Sequence, residues 1–564
     1  MANLLSQLFR RKSLNDLTSD DHGEGPKLAK VLTARDVFFH GVAAIIGTGI
    51  FVLTGVAAAE HAGPAIILSF IIAGLACTFV SFAYSELASM IPKSGSAYTY
   101  AFATLGEIIA FIIGWDLLLE YCVGASAVAA GWSGYMQNIL ASMGIHLPAF
   151  LAKAPAAMPW STVAIAATLL IGGVVGLRSA IPQFKQGVYT LGNLLKALVA
   201  GAATLYGALE AWHVAMHVTS VDILAVGIIA FLNIWLVKGV SHTAKMTAWM
   251  VVIKLAVIVV FIAIGIVHVN PANYVPFMPY GWSGVFTGAA VVFFAYIGFD
   301  AISTLPEECK DPKRDMPKGI IGSLVVCATL YVIVAAIMTG CVSYLMFDPK
   351  LPSGAAPMAT VLNEIHAVWW ASPLVSLGAV CGITSVLIVL LFGQSRVMMS
   401  MSRDGLLSPV FSKIHPRFQT PYWAIIIWGV LAALTSGFLP IGELAELTSI
   451  GTLAAFILCC IGVIVLRHTE PNRERKFSYP ATPLIVPAAR LVSLVVPRRR
   501  REGFIRGAQW LSVNLIPILG ALFSLVLMAS LPMITWIRFV VWMAIGLVVY
   551  FGYGRAHSVI GRKK

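Results

Sequence analysis

FFHGVAAIIGTGIFVLTG, Phe38–Gly55, carries no aspartate, glutamate, lysine or arginine. A bilayer-spanning helix needs about 20 mostly apolar residues, so with its flanks this run reads as a span over 36–60. Gly47-Thr48-Gly49 falls in its middle, where a glycine weakens a helix by roughly 0.5–1 kcal/mol relative to alanine. One reading is close helix packing, because small residues let membrane helices approach. The sharper reading is a broken helix, whose freed N–H groups at a positive dipole end can receive an anionic group. A phosphate loop is excluded, since no Gly-Lys-Ser/Thr follows.

The rest of the chain agrees with a lipid environment. Of 564 residues, 59% are hydrophobic and 11% charged, with mean hydropathy +0.87. Soluble proteins carry about 25% charged residues, so soluble enzymes, nucleic-acid binders and disordered scaffolds are excluded. Apolar segments fall at 36–60, 65–91, 100–140 (one long or bent element), 160–178, 187–209, 221–240, 246–268, 284–304, 319–346, 370–395, 421–440, 445–466, 511–531 and 534–553. Fourteen crossings put both termini on one side. With the N-terminus inside, 33 of the 38 basic residues fall in inside segments, as the positive-inside rule requires. The net charge of +13 is therefore a record of topology, not of nucleic-acid binding. The N-terminus lacks a signal-peptide pattern, and the eight cysteines show neither CxxC nor metal-ligand spacing.

A second interrupted run, VFFAYIGFDAISTLPEE (Val292–Glu308), holds Gly298 and, two residues on, Asp300. If the pair at 160–209 is set aside, this span and the first open two sets of five. Corresponding interruptions in two halves point to the binding site of a carrier. Lys254 lies near the centre of MTAWMVVIKLAVIVVFIAIG (Met246–Gly265), where a lysine costs about 2.5–3.5 kcal/mol on insertion scales. A buried lysine that can give up its proton is a candidate proton carrier. Lys196 sits near a span end and can snorkel. Asp116 and Glu120, four apart, share one helix face that should look into the bundle, whereas Glu107 reads as a solvated or capping acid. His40 reads as a packed histidine.

Three stretches carry a family likeness: IIGTGIFVLTG (Ile45–Gly55), FFAYIGFDAISTLPEECKDPKRDMPKGI (Phe293–Ile320) and GQSRVMMSMSRDGLLSPVFSKIHPRFQTPYW (Gly393–Trp423). Together they resemble the cationic amino acid transporter family, bacterial type, of the amino acid–polyamine–organocation (APC) superfamily. The likeness implies an all-α polytopic membrane protein with a 5+5 inverted-repeat fold and broken first and sixth core helices. It further implies that the backbone at Ile45, Thr48 and Gly49 receives the substrate carboxylate, with Gly47 of the break counted to the same binding site, and that carbonyls of Phe294, Ala295 and Ile297 receive its ammonium. Glu120 matches an acid that approaches the threonine of the first break. Lys254 matches a lysine standing where sodium-coupled relatives hold sodium. Thr384 and Ser385 are candidates for reading the substrate side chain.

The expected layout is a cytoplasmic tail (1–35), core helices 1–3 (36–145), an inserted helix pair (150–218), core helices 4–10 (219–466), a basic loop (467–510), two last spans (511–553) and a cytoplasmic tail (554–564). The loop's PAARLVSLVVPRRRREGFIRGAQW reads either as an interfacial helix on anionic lipid or as a solvated linker. The expected function is secondary active import of cationic or small neutral amino acids, with Lys254 and Glu120 coupling it to protons. No cofactor, metal, nucleic acid or enzyme chemistry is implied. A proton-independent exchanger and a non-transporting sensor are the alternatives. The expected location is the bacterial inner membrane, with both termini cytoplasmic and the oligomeric state open.

Overall fold

The computed structural model describes residues 9–12, 32–91, 96–155, 198–202, 204–205, 220–238, 243–306, 309–349, 352–418, 420–471, 473, 475, 477 and 498–559. Among these residues the regular structure is helical, apart from an isolated bridge between Leu32 and Cys309. Helix α1, Ala34–Ile45, starts where the Asp36 carboxylate accepts from the Thr33 N–H at 2.9 Å, satisfying one of the donors a helix start leaves orphaned. It stops at Ile46, which is extended (φ −76°, ψ 100°). The chain resumes as wide and short helical turns from Gly49 to Ala65 and then as α2, Ile66–Met90.

The element expected over 100–140 is two helices, α3, Ser96–Thr104, and α4, Glu107–Ser142. They meet at Gly106, whose φ of +103° disfavours any residue with a Cβ, and a Cβ there would also press on the Phe9 backbone. The helices α5, Ile223–Lys238, α6, Thr243–Gly265, and α7, Gly281–Val292, follow, and α7 leads into the second interruption. Next come α8, Pro312–Cys341, with proline in its first turn, α9, Pro357–Glu364, α10, Ala371–Arg403, α11, Tyr422–Phe438, and α12, Ile441–Thr469. Helix α13, Arg498–Ala529, begins inside the segment expected as the basic loop and runs on into the span expected at 511–531. Helix α14, Met533–Val549, is the last long one.

Eight helical runs among the described residues are long and apolar enough to cross a membrane, and three shorter ones (Ile223–Lys238, Tyr422–Phe438, Val513–Ala529) are apolar as well. The expected span at 160–178 and most of that at 187–209, with Lys196, lie outside the described residues. Phe231, Ile234, Trp249, Val259, Val540 and Val548 are exposed on α5, α6 and α14. Apolar side chains on the outer faces are what a lipid solvent requires, because the tails are as apolar as leucine.

The chain divides into two compact units. The larger comprises Met1–His146, Leu224–Ser436 and Ile441–Lys564. In it α4 lies along α10 and α12, and α8 lies along α1 and α2. These four-way contacts surround the two interruptions. At one end Lys12 Nζ pairs with the Asp404 carboxylate at 2.7 and 2.8 Å, and Tyr98 donates to the same group at 2.6 Å. Buried Glu86 of α2 pairs with Arg467 at the end of α12. The smaller unit, Leu147–Ile223 with Gly437–Pro440, contains the single turn Ala149–Ala152 and an N–H of Asp222 donated to Gly437 at 3.0 Å.

Candidate substrate site

Both interruptions exist, and they face each other. In the first, α1 ends at Ile45, Ile46 and Gly47 run irregularly, and helix resumes at Gly49. In the second, Phe293–Tyr296 is a tight turn, Ile297 is extended (φ −60°, ψ 138°) and Gly298 has φ +117°. Asp300 holds that turn by accepting the Gly298 N–H at 3.0 Å. The glycines make the approach possible: a Cβ on Gly49 would overlap Cβ and Cα of Ala295, and one on Gly298 would sit 2.7 Å from the Ala44 carbonyl. Real Cβ atoms do not tolerate such distances, so close packing and helix breaking, offered as alternatives for this motif, are one device.

A helix that stops in mid-bilayer leaves carbonyls without partners, and each would be penalised in hydrocarbon. Two side chains satisfy them here. Lys254 Nζ, fully buried on α6, donates to the carbonyls of Ala43 at 2.8 Å and Ile46 at 2.7 Å and to Ser385 Oγ at 3.2 Å. Tyr331 Oη of α8 lies 2.8 Å from the Ile45 carbonyl and 2.7 Å from that of Ala295, and can donate to either. Tyr331 therefore bridges the two breaks. The sequence reading missed it, although a lone phenol inside the apolar run CATLYVIVAA was the available signal.

Between the breaks lies a pocket lined by Ala44, Ile45, Gly47, Thr48, Gly49, Gly124, Val128, Phe294, Ile297, Val386 and Leu390. Six of the nine residues expected to bind substrate are in that lining: Ile45, Gly47, Thr48, Gly49, Phe294 and Ile297. Ala295 is not, and its carbonyl accepts from Tyr331; the Phe294 carbonyl accepts the Ile297 N–H at 3.2 Å. Thr384 also stands outside the lining, with its hydroxyl committed: it accepts from Trp132 Nε1 at 3.0 Å and donates to Val380 at 2.7 Å. The side chains on α10 that do reach the pocket are Val386 and Leu390, which no polar signal marked.

Glu120 differs from expectation too. The Thr48 hydroxyl donates to the Val128 carbonyl at 3.3 Å, and its methyl group packs where Gly131 has no Cβ. Glu120 sits two turns earlier on α4, outside the lining and beside Thr452 of α12. The Thr48 hydroxyl is given to Val128 and not to Glu120. Glu107 is not solvated either: it is buried and accepts from Tyr550 at 3.0 Å and Ser558 at 2.7 Å, because the C-terminal segment folds over it. His40 is packed as expected, with Nδ1 2.9 Å from the Asp36 carbonyl.

The site thus offers a backbone break at each wall, N–H groups at the start of the helix resuming at Gly49, and an otherwise apolar lining. That is an arrangement for holding a small zwitterion by main-chain dipoles. Comparisons with known proteins agree. A family model described as amino acid permease matches residues 32–551. The chain is 40% identical to the branched-chain amino acid permease BcaP of Bacillus subtilis over 98% of this chain and 99% of that protein. It is 38% identical to the methylthioribose transporter of the same organism over 99% and 100%. It is 30% identical to cationic amino acid transporter 3, mitochondrial, of Arabidopsis thaliana over 98% and 95%. With the family matched across nearly the whole chain and both helix breaks in place, the chain belongs to the amino acid permease family, an integral membrane transporter of the APC superfamily and not an enzyme.

Proposed function

We propose that the protein imports amino acids with small or branched apolar side chains by alternating access, coupled to protons. The observation that carries the substrate class is the lining: among the described residues no acid lines the pocket, and Ile45, Val128, Phe294, Ile297, Val386 and Leu390 make it apolar. A cationic side chain there would lose its hydration without gaining a counter-charge, which costs several kcal/mol per ion. A valine- or leucine-sized chain instead gains about 25 cal/mol per Å² of buried apolar area. The likeness to a branched-chain amino acid permease points the same way.

In this reading the substrate carboxylate meets the N–H groups at Gly47–Gly49, and its ammonium meets backbone carbonyls near Phe294 and Ile297. Lys254 carries the coupling proton. As an ammonium it bonds the Ala43 and Ile46 carbonyls at the end of α1, so loss of the proton loosens the first break. The two breaks are the cores of two inverted five-helix repeats, the termini and the basic 467–506 segment face the cytoplasm beside anionic lipid, and the membrane is the bacterial inner one.

The test is uptake of radiolabelled leucine, alanine, lysine and arginine into proteoliposomes, with and without an inward proton gradient. Leucine uptake driven by the gradient, with arginine excluded, is the expected result. Preferential arginine uptake would overturn the substrate class. Uptake only after preloading with amino acid, whatever the gradient, would make the protein an exchanger, and binding without counterflow would make it a sensor. Methylthioribose belongs in the competition series, because the relative of that name matches over the same length.

A further inference from the structure

The substrate pocket has a side that belongs to neither break. Gly124 and Val128 of α4 and Val386 and Leu390 of α10 form it. With a carboxylate and an ammonium held at the breaks, the rest of an amino acid lies against these residues. Val128, Val386 and Leu390 fill their places with a side chain. Gly124 leaves its place open, and behind it stand Thr448 of α12 and the end of the Leu390 side chain.

The fold itself does not ask for a glycine at 124. Gly47 and Gly49, which also line the pocket, are held by packing, since a Cβ on Gly47 would press on Val386 and one on Gly49 on Ala295. Gly124 sits in the interior of α4 without a positive φ. A Cβ there would stand 3.4 Å from Thr448 Cγ2, 3.8 Å from Leu390 Cδ1 and 3.9 Å from Thr448 Oγ1. These are close to ordinary van der Waals separations, so alanine would fit, and it is the better helix former. What alanine would take away is room beside the pocket. The wall behind that room is apolar. The Thr448 hydroxyl donates to the Leu444 carbonyl of its own helix at 2.8 Å, and the methyl is the branch that comes nearer to position 124.

We infer that the bare face of Gly124, backed by the Thr448 methyl and by Leu390, receives the end of the substrate side chain and sets the largest chain the carrier accepts. Gly124 and Thr448 are then specificity-determining residues, one on α4 and one on α12. The class they select is an aliphatic side chain, because a hydroxyl or ammonium pushed into this corner would exchange water for methyl groups. The rival occupant of the gap is a cationic chain reaching for Glu120, one turn along α4, and the test separates the two.

The inference deepens the apolar-substrate reading and rests on it. Full-length wild type, Gly124→Ala, Thr448→Ser and the double variant are reconstituted in liposomes. Counterflow of radiolabelled alanine, leucine, methionine and lysine is measured, and kcat/KM is taken for each. A methylene gained or lost in an apolar pocket changes discrimination about 10–200-fold. In Gly124→Ala the leucine-to-alanine ratio of kcat/KM should therefore fall at least about tenfold, with a melting midpoint at or above that of the wild type. Thr448→Ser removes the methyl but keeps the hydroxyl that bonds Leu444, and should raise methionine relative to leucine by up to about tenfold. In the double variant the lost methyl makes room for the new one, so the leucine-to-alanine ratio should return toward wild type. An unchanged ratio in Gly124→Ala, or an equal loss for both substrates, would overturn the proposal. Loss of lysine with leucine spared would assign the gap to a cationic chain and overturn it too. A lower melting midpoint for Gly124→Ala would show that packing holds the glycine, which would also overturn it. A wild type that carries lysine in preference to leucine would instead overturn the apolar-substrate reading on which the inference stands.

Discussion

The closest approach between the two breaks provides the sharpest perturbation, Gly49→Ala. A Cβ at 49 would overlap Cβ and Cα of Ala295 and stand 3.3 Å from its nitrogen. Carbon–carbon contacts settle at about 3.5–4.0 Å, so the two broken segments must part by about 1 Å or more. Overpacking of this kind costs about 1–3 kcal/mol. A displacement of about 1 Å at a site built from both segments can lower turnover about a hundredfold. Gly227→Ala is the matched control. It makes the same chemical change inside α5, where a Cβ meets nothing within 4 Å. There alanine should be neutral or stabilise by up to about 1 kcal/mol, because glycine is the poorer helix former. Ala295→Gly in the Gly49→Ala background removes one of the overlapping atoms but leaves the Cα, so it should rescue partially. Contacting residues commonly show coupling energies of about 0.5–3 kcal/mol in such cycles. The assay is the melting midpoint of detergent-purified protein beside initial leucine uptake in liposomes. If Gly49→Ala and Gly227→Ala behaved alike in both measurements, the two breaks would not pack as described.

Tyr331→Phe leaves the Ile45 and Ala295 carbonyls without their donor; a lost bond in a membrane interior averages about 0.6 kcal/mol, with about 1.7 as the observed maximum. Stability should fall slightly while the leucine KM rises severalfold, and an unchanged KM would separate Tyr331 from the site. Lys254→Met removes three hydrogen bonds and also a buried charge, so the two effects on stability offset each other to within about 3 kcal/mol. Gradient-driven uptake should be lost while counterflow survives, and full gradient-driven uptake would refute proton coupling through this lysine. Asp404→Asn weakens the clasp joining Lys12, Tyr98 and the end of α10, by about 1–2 kcal/mol for partly buried charge-assisted bonds. The N-terminal segment should then be cut faster by protease, with the wild type approaching that rate as salt is raised.

The sequence alone was enough to place the chain in lipid and to find the first break, because both are local properties. Composition records the solvent, and two glycines inside one apolar run are visible without neighbours. Lys254 was likewise legible, since a charge at mid-span stands out against its own helix. Tertiary structure decided which group meets which. The carbonyls that Lys254 satisfies lie on Ala43 and Ile46, over two hundred residues away in the chain, and nothing local marks them. Glu107 looked solvated until Tyr550 and Ser558 arrived from the far end of the sequence. Thr384 looked available until Trp132 and Val380 took its hydroxyl, and Glu120 looked like a partner of Thr48 until Val128 filled that place. Hydropathy reports what each residue is worth to lipid or water. Hydrogen-bond satisfaction depends on which helices lie side by side, and only packing settles that.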